Sequence, residues 1–286
     1  MKKDTKMSLR RVQGNAPKAT ETCEDLDFYN LSKYYDLAMD RDTVSEIDFL
    51  QRMADEFSDV NPVHRVLETA CGTGLYLEWL PRFGFYAAGY DLSPEMVQYT
   101  RERLDRLEYG PEVADVFLGD MRTIRFEDKF DAAMSFVNSV GYLTSDEDII
   151  SHFKVTADAL NPGCLYIIEV GLRCDDFANE ATDDETWHVS RDGIEIDSTW
   201  RPQDYDEENK IRHVLVHMKI NDNGKCKEFS EIHNLRLWTH DDLVALAKEG
   251  GFDVMGVYFQ DFSRIPDGQR ITGDPGGLYY VLKQTS

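Results

Sequence analysis

The sequence has no apolar run approaching the ~18 residues that a membrane-spanning helix requires, and its charged N-terminus leads into no apolar signal segment. A soluble, cytoplasmic protein with no membrane partner is expected. Cysteine is scarce: Cys23, Cys71, Cys164, Cys174 and Cys226 are scattered, odd in number and without a Cys-x-x-Cys pair, which argues against a disulfide framework or a zinc cage. They are read as reduced thiols, and no metal site is expected. Positive charge is also in short supply, with 31 Lys and Arg against 54 Asp and Glu and a formal net charge of −23 over 286 residues. Such a surface repels phosphate backbones over a Debye length of about 8 Å, so nucleic acid is not an expected partner. The same field could favour a cationic acceptor such as an amine, although solubility or a salty cytoplasm is the simpler account of the acidity.

What is present is enough apolar residue, 42%, for one sizeable core. Residues 1–25 carry Lys2, Lys3, Lys6, Arg10 and Arg11 with few apolar neighbours, which predicts a mobile tail. Ordered structure is expected from near Phe28, where Tyr29, Leu31, Tyr34, Tyr35, Leu37 and Met39 recur at nearly helical spacing. A second helix is predicted over 43–57, with Ile47, Leu50, Met53, Ala54 and Phe57 on one face.

From Arg65 short strands and helices alternate. Strands are read at 66–68, 86–91, 114–118, 130–136 and 164–170, and helices at 75–83, 94–107 and 146–160. Alternation of this kind implies βαβ units and a parallel sheet with both faces covered. Ser93 and Pro94 suit the cap and first turn of their helix. Over about 187–238 the rhythm breaks into strand-like runs with an Asn223-Gly224 hairpin signal, which predicts an antiparallel insertion. A helix starting at Thr239 and strands at 252–259 and 278–282 close the chain.

The first of these strands ends in Glu68-Thr69-Ala70-Cys71-Gly72-Thr73-Gly74. Two glycines there let the backbone turn sharply and approach a ligand, because neither carries a Cβ. The second strand ends in Asp91, about twenty residues on, where an acid can accept hydrogen bonds from both ribose hydroxyls of a nucleoside. Gly119-Asp120-Met121 follows the third strand and would meet an adenine edge and face. NAD(P) and S-adenosylmethionine (SAM) compete for this pattern. A dinucleotide wants a third glycine where its pyrophosphate meets the helix, and that position is Leu77. SAM carries no phosphate, and the pattern favours it.

Over Tyr34 to Leu282 the sequence resembles the class I SAM-dependent methyltransferases. The likeness is carried by 67–74, by Tyr90-Asp91-Leu92-Ser93-Pro94-Glu95-Met96 and by Gly119-Asp120-Met121. It implies an α/β, Rossmann-like seven-stranded sheet in order 3-2-1-4-5-7-6, helices on both faces, and SAM as methyl donor with S-adenosylhomocysteine as product. It also implies site residues. Glu68 and the loop of Ala70, Gly72, Thr73 and Gly74 would hold the methionine part of SAM, and Asp91 the ribose. Leu92 would cover the adenine, whose edge Asp120 and Met121 bind, and Met96, Ser135 and Phe136 complete the implied cofactor-binding set.

The run from Phe130 to Leu143 with Asn161-Pro162-Gly163 resembles small-molecule N-methyltransferases, above all those that dimethylate nucleotide-linked amino sugars, with glycine and sarcosine N-methyltransferases nearby. An Asn/Asp-Pro-Pro-Tyr signature is absent, as is the acid by which catechol-type enzymes hold magnesium. A small-molecule amine is therefore the expected acceptor; an oxygen acceptor, or a non-catalytic SAM-binding regulatory module, is the alternative. Glu231 and His233 share a face of one strand at i, i+2 and are the candidate base, with a merely structural His233 as the competing reading. Tyr35 is the third candidate, on an N-terminal lid over 26–60, while Tyr34 suits core packing. His213 and His217 lack a third metal ligand and read as structural. The insertion is also a candidate homodimer contact.

Overall fold

A computed structural model describes residues 24–25, 31–39, 41–174, 184–272 and 276–285. All but the last two residues of the expected tail, and the expected start of order around Phe28, lie outside them. In chain order the elements begin with β1 (Glu24–Asp25), α1 (Ser32–Ala38), α2 (Thr43–Phe57), β2 (Arg65–Thr69), α3 (Leu75–Trp79), β3 (Tyr86–Asp91) and α4 (Pro94–Arg106). They continue with β4 (Ala114–Leu118), β5 (Phe130–Ser135), α5 (Asp146–Ala159), β6 (Leu160–Gly171) and β7 (Glu185–Arg191). The last are β8 (Ile194–Asp206), β9 (Ile211–Asp222), β10 (Lys225–Arg236), α6 (His240–Glu249), β11 (Phe252–Tyr258) and β12 (Gly277–Gln284).

Strands β2, β3 and β5 are buried almost throughout, as a parallel sheet sandwiched by helices demands. They belong to a seven-stranded sheet in the order β11-β12-β6-β5-β2-β3-β4. Counted along the chain within this sheet alone, the order is 3-2-1-4-5-7-6, and β12 runs antiparallel to both neighbours. Side chains alternate between two layers. Val66, Ala132 and Met134 pack on Ile47, Leu50, Leu77 and Val97 of α2, α3 and α4, while Leu67, Ala133 and Tyr166 pack on Ile149, Phe153, Leu243 and Ala247 of α5 and α6. Helix α2, inside the expected lid over 26–60, is thus part of the core layer, capped by Asp42, whose side chain accepts from Ser45 N–H. Ser93, Ser145 and Thr239 cap α4, α5 and α6 in the same way.

Strands β7 to β10 form a separate sheet, β1-β10-β9-β8-β7, antiparallel apart from β1. It spans 185–236 and is the expected insertion. Asn223-Gly224 turns its last hairpin with positive φ at both residues, and Asp192-Gly193, which sequence reading passed over, turns the first in the same way. Helix α1 buries Leu31, Tyr34 and Ala38 against Ile194, Ile196, Val214 and Met218 of this sheet. Tyr34 is core, as expected, and its hydroxyl donates to Asp222 at 2.8 Å.

Two expectations are corrected. Glu24 and Asp25, assigned to a mobile tail, pair with Lys227 and Glu228, because the edge of β10 offers unpaired backbone groups that an added strand satisfies. Cys226 is disulfide-bonded rather than a reduced thiol, whereas Cys71, Cys164 and Cys174 lie outside any disulfide. Scattered spacing hid the bridge, since a disulfide depends on proximity in space. No helix among the described residues is long and apolar enough to cross a membrane.

Candidate cofactor and acceptor site

The C-terminal ends of β2, β3, β4 and β5 lie side by side, and the glycine loop crosses the first of them. Ala70, Gly72 and Gly74 all have positive φ, of 52°, 52° and 74°. Gly74 is the more restrictive glycine: a Cβ there would lie 2.5 Å from Thr100 Cγ2. At Gly72 a Cβ would meet nothing nearer than Tyr35 at 4.0 Å, so the loop is open toward α1 on that side. Thr100 Oγ1 donates to Gly72 C=O at 2.9 Å and ties the loop to α4.

Asp91 ends β3 beside this loop and accepts from Gly72 N–H at 2.8 Å and Ser93 N–H at 2.9 Å. Burial raises its pKa, and those N–H groups partly offset the rise. Glu68 sits deeper, 5% exposed, with Oε2 buried and lacking a hydrogen-bond partner among the described residues. Burial raises its pKa well above the ordinary carboxylate value, with Asp91 adding to the effect. Asp120, at the end of β4, is engaged by Arg122 at 2.6 Å, and that bond lowers its pKa. A nucleoside amino group approaching Asp120 must therefore share its oxygens with a guanidinium.

A chain of buried hydrogen bonds supports the Asp120 segment from below. Met121 C=O can only accept, so Nδ1 of His152, 3.1 Å away, carries the proton, and Nε2 accepts from the Tyr166 hydroxyl at 2.7 Å. Tyr166 in turn accepts from Thr69 at 3.1 Å. Burial lowers the His152 pKa to about 4, which keeps the ring neutral and the chain intact at neutral pH.

A cavity of about 430 Å³ covers these strand ends. Its walls bring together Ala70, Gly72, Asp91, Leu92, Met96, Asp120 and Met121 from the expected cofactor set, and Tyr35 and His233 from the expected acceptor set. Tyr142, Trp200, Phe229 and Met218 complete the acceptor end, none of them singled out by sequence reading. Tyr142 follows β5 in a 3-10 turn over 139–142, and its hydroxyl meets His233 Nδ1 at 2.5 Å. Trp200 on β8 stands edge-on to the His233 ring, with centroids 6.0 Å apart. Burial lowers the His233 pKa, partly countered by Glu231, whose Oε2 lies 3.8 Å from Nε2. Burial pushes the Tyr35 phenol up to about 12, with Asp91 adding to the rise.

The remaining expected residues lie behind or beside the wall. Glu231 is half exposed and reaches the site through His233. Thr73 and Gly74 support the loop from its helix side. Ser135 and Phe136 do not line the cavity: both are buried, and the two-residue strand period sends Phe136 into the layer of Ala132 and Met134, edge-on to Tyr76 and Tyr279. Val137 and Ser139 form the wall in their place. His213 and His217 sit on the insertion sheet, bonded to Asp204 at 3.0 Å and Glu228 at 2.7 Å.

An acid at the end of β3, open glycine backbone and an orphaned buried carboxyl oxygen fit a nucleoside that bears an amino acid, as SAM does. Comparison with known proteins agrees. Residues 66–163 match the model of the methyltransferase domain. The dTDP-3-amino-3,4,6-trideoxy-alpha-D-glucopyranose N,N-dimethyltransferase of Streptomyces venezuelae is 30% identical over 190 residues, 66% of this chain and 75% of that protein. The crystal structure of Streptomyces venezuelae DesVI is similar at a TM-score of 0.69 and 25% identity, over 91% of this chain and 99% of that one. SAM-bound CalS10, an amino pentose methyltransferase from Micromonospora echinaspora, matches at a TM-score of 0.67 and 20% identity, over 92% and 99% of the two chains. The chain belongs to the SAM-dependent methyltransferase family.

Proposed function

We propose that this enzyme methylates the amine nitrogen of an amino sugar or a similar small metabolite. The observation that carries the reading is one continuous cavity joining the Asp91 and Asp120 end to the Tyr35, Tyr142 and His233 end. In it Asp91 holds the ribose, Asp120 and Met121 the adenine edge, and the glycine loop the amino-acid part, while Glu68 is buried outside the cavity wall. When bound, SAM supplies a methyl group on a sulfonium, open to in-line displacement.

The protein's task is then to align the amine about 3 Å from that methyl, exclude water and take one proton. Tyr35 and Trp200 wall the acceptor end. The Glu231 carboxylate favours the proton on His233 Nε2, which leaves Nδ1 to accept from the Tyr142 hydroxyl. A proton released by the amine onto the Tyr142 oxygen passes the phenolic proton to His233 Nδ1. The imidazolium that forms faces Glu231. His233, neutral because burial lowers its pKa, is the proton's destination, and Tyr142 is the group the amine meets.

The open acceptor end supports catalysis over a purely regulatory SAM-binding module. The test is incubation with SAM and dTDP-3-amino-3,4,6-trideoxyglucopyranose, with glycine and sarcosine in parallel, followed by mass spectrometry. Gain of one or two methyl groups on the sugar is expected. S-adenosylhomocysteine release with a hydroxylated acceptor alone would move the assignment to oxygen.

A further inference from the structure

Val137 and Asn138 follow β5 with φ of 60° and 54°. A β-branched residue is rarely found in this left-handed region, and such positions persist only where neighbours over-determine them. Both determinants come from β6. Val137 N–H donates to Glu169 Oε2 at 2.7 Å, and Gly171 N–H donates to Asn138 Oδ1 at 3.0 Å.

Glu169 is itself held. Arg41, between α1 and α2, donates to the same Oε2 at 2.8 Å and also binds Glu46. Glu46 takes the hydroxyls of Tyr76 at 2.5 Å and Tyr279 at 2.7 Å. Gly277 on the neighbouring strand packs so closely that a Cβ there would lie 2.6 Å from Glu169 Oε1. The carboxylate is 5% exposed and outside the cavity, but the turn it fixes is part of the cavity wall.

We propose that Glu169 is a positioning residue: by holding the Val137–Asn138 turn in its left-handed form, it shapes the end of the cavity that receives the amino-acid part of SAM. The strand order supplies the direction. β5 flanks β2 on the side away from β3 and β4, so a ligand with its nucleoside at Asp91 and Asp120 extends its other end across the glycine loop toward Val137. The inference rests on the placement of the nucleoside at those two acids given under Proposed function.

The test compares S-adenosylhomocysteine with adenosine, which lacks the amino-acid part, by calorimetry. Glu169→Ala is expected to weaken S-adenosylhomocysteine about tenfold or more, the scale of a lost charge-assisted hydrogen bond, with adenosine changed by less than about twofold. Val137→Pro removes the donor and forbids the positive φ from the other side of the same bond, and should show the same selective loss. Glu169→Gln keeps an oxygen for Val137 N–H and should recover most of the affinity. Equal loss of both ligands in Glu169→Ala and Val137→Pro, or unchanged S-adenosylhomocysteine affinity in either, overturns the proposal. Should the alanine variant not fold, Val137→Pro decides. If Asp91→Ala leaves adenosine affinity intact, the nucleoside placement fails instead, a separate result.

Discussion

The hydroxyl of Tyr142 lies 2.5 Å from Nδ1 of His233, although 91 residues separate them in the chain. One comes from the turn after β5 and the other from the insertion sheet, so this bond forms only when the two sheets are docked. It engages Nδ1 of the imidazole, while Nε2 faces Glu231 at 3.8 Å.

His233→Ala and Tyr142→Phe are each expected to lower kcat by about a hundredfold, the scale of general-base catalysis, with SAM affinity nearly unchanged. The double variant should fall little further, because the two groups act as one unit. Because burial depresses the His233 pKa, kcat/KM should hold through pH 6.5 and decline only as pH falls through a lower value. Near-wild-type turnover in well-folded variants would leave alignment alone as the mechanism.

Asp91→Ala should weaken SAM by about 2 kcal/mol or more, through loss of charge-assisted bonds to the ribose. Since Asp91 also accepts from Gly72 N–H, the variant loosens the glycine loop as well. Calorimetry checks it, and an unchanged dissociation constant would remove the ribose role.

His152 makes the fold acid-sensitive. Its folded pKa of about 4 lies below the unfolded value near 6.5, so between them the unfolded chain binds a proton that the native state does not. The contribution is complete above pH 6.5 and is lost as pH falls toward 4, reaching about 3 kcal/mol over that window. Urea unfolding at pH 7 and pH 4.5 measures it. The slope should shrink in His152→Gln; an identical slope would show that other groups carry the pH dependence.

Gly74→Ala should destabilise the protein by roughly 1–3 kcal/mol, from the φ of 74° and the clash with Thr100. Pairing it with Thr100→Ser, which removes the clashing Cγ2, should recover part of the loss and isolate the steric share. Thermal melts of the single and double variants separate the two terms; no recovery would assign the cost to φ alone.

Local chemistry was enough to read the main sheet. Strand alternation, caps such as Ser93 and Thr239, and the spacing from Gly72 to Asp91 act over a few residues, so seven strands and the glycine loop are legible one element at a time. Even the insertion announces itself through Asn223-Gly224. Ser135 and Phe136 were misplaced because the family pattern marks the end of β5 but not which side chain faces outward there; the two-residue period turns Phe136 inward and leaves Val137 on the wall. Tyr142 and Trp200 carry no local signal at all. The left-handed backbone of Val137, the Glu169 carboxylate beneath it and the bridge at Cys226 each depend on a partner distant in sequence. Elements and cofactor loop follow from nearest-neighbour preferences written in the chain, whereas the acceptor end is made by docking one sheet on another, and only the tertiary structure sets which groups that docking brings within hydrogen-bond reach.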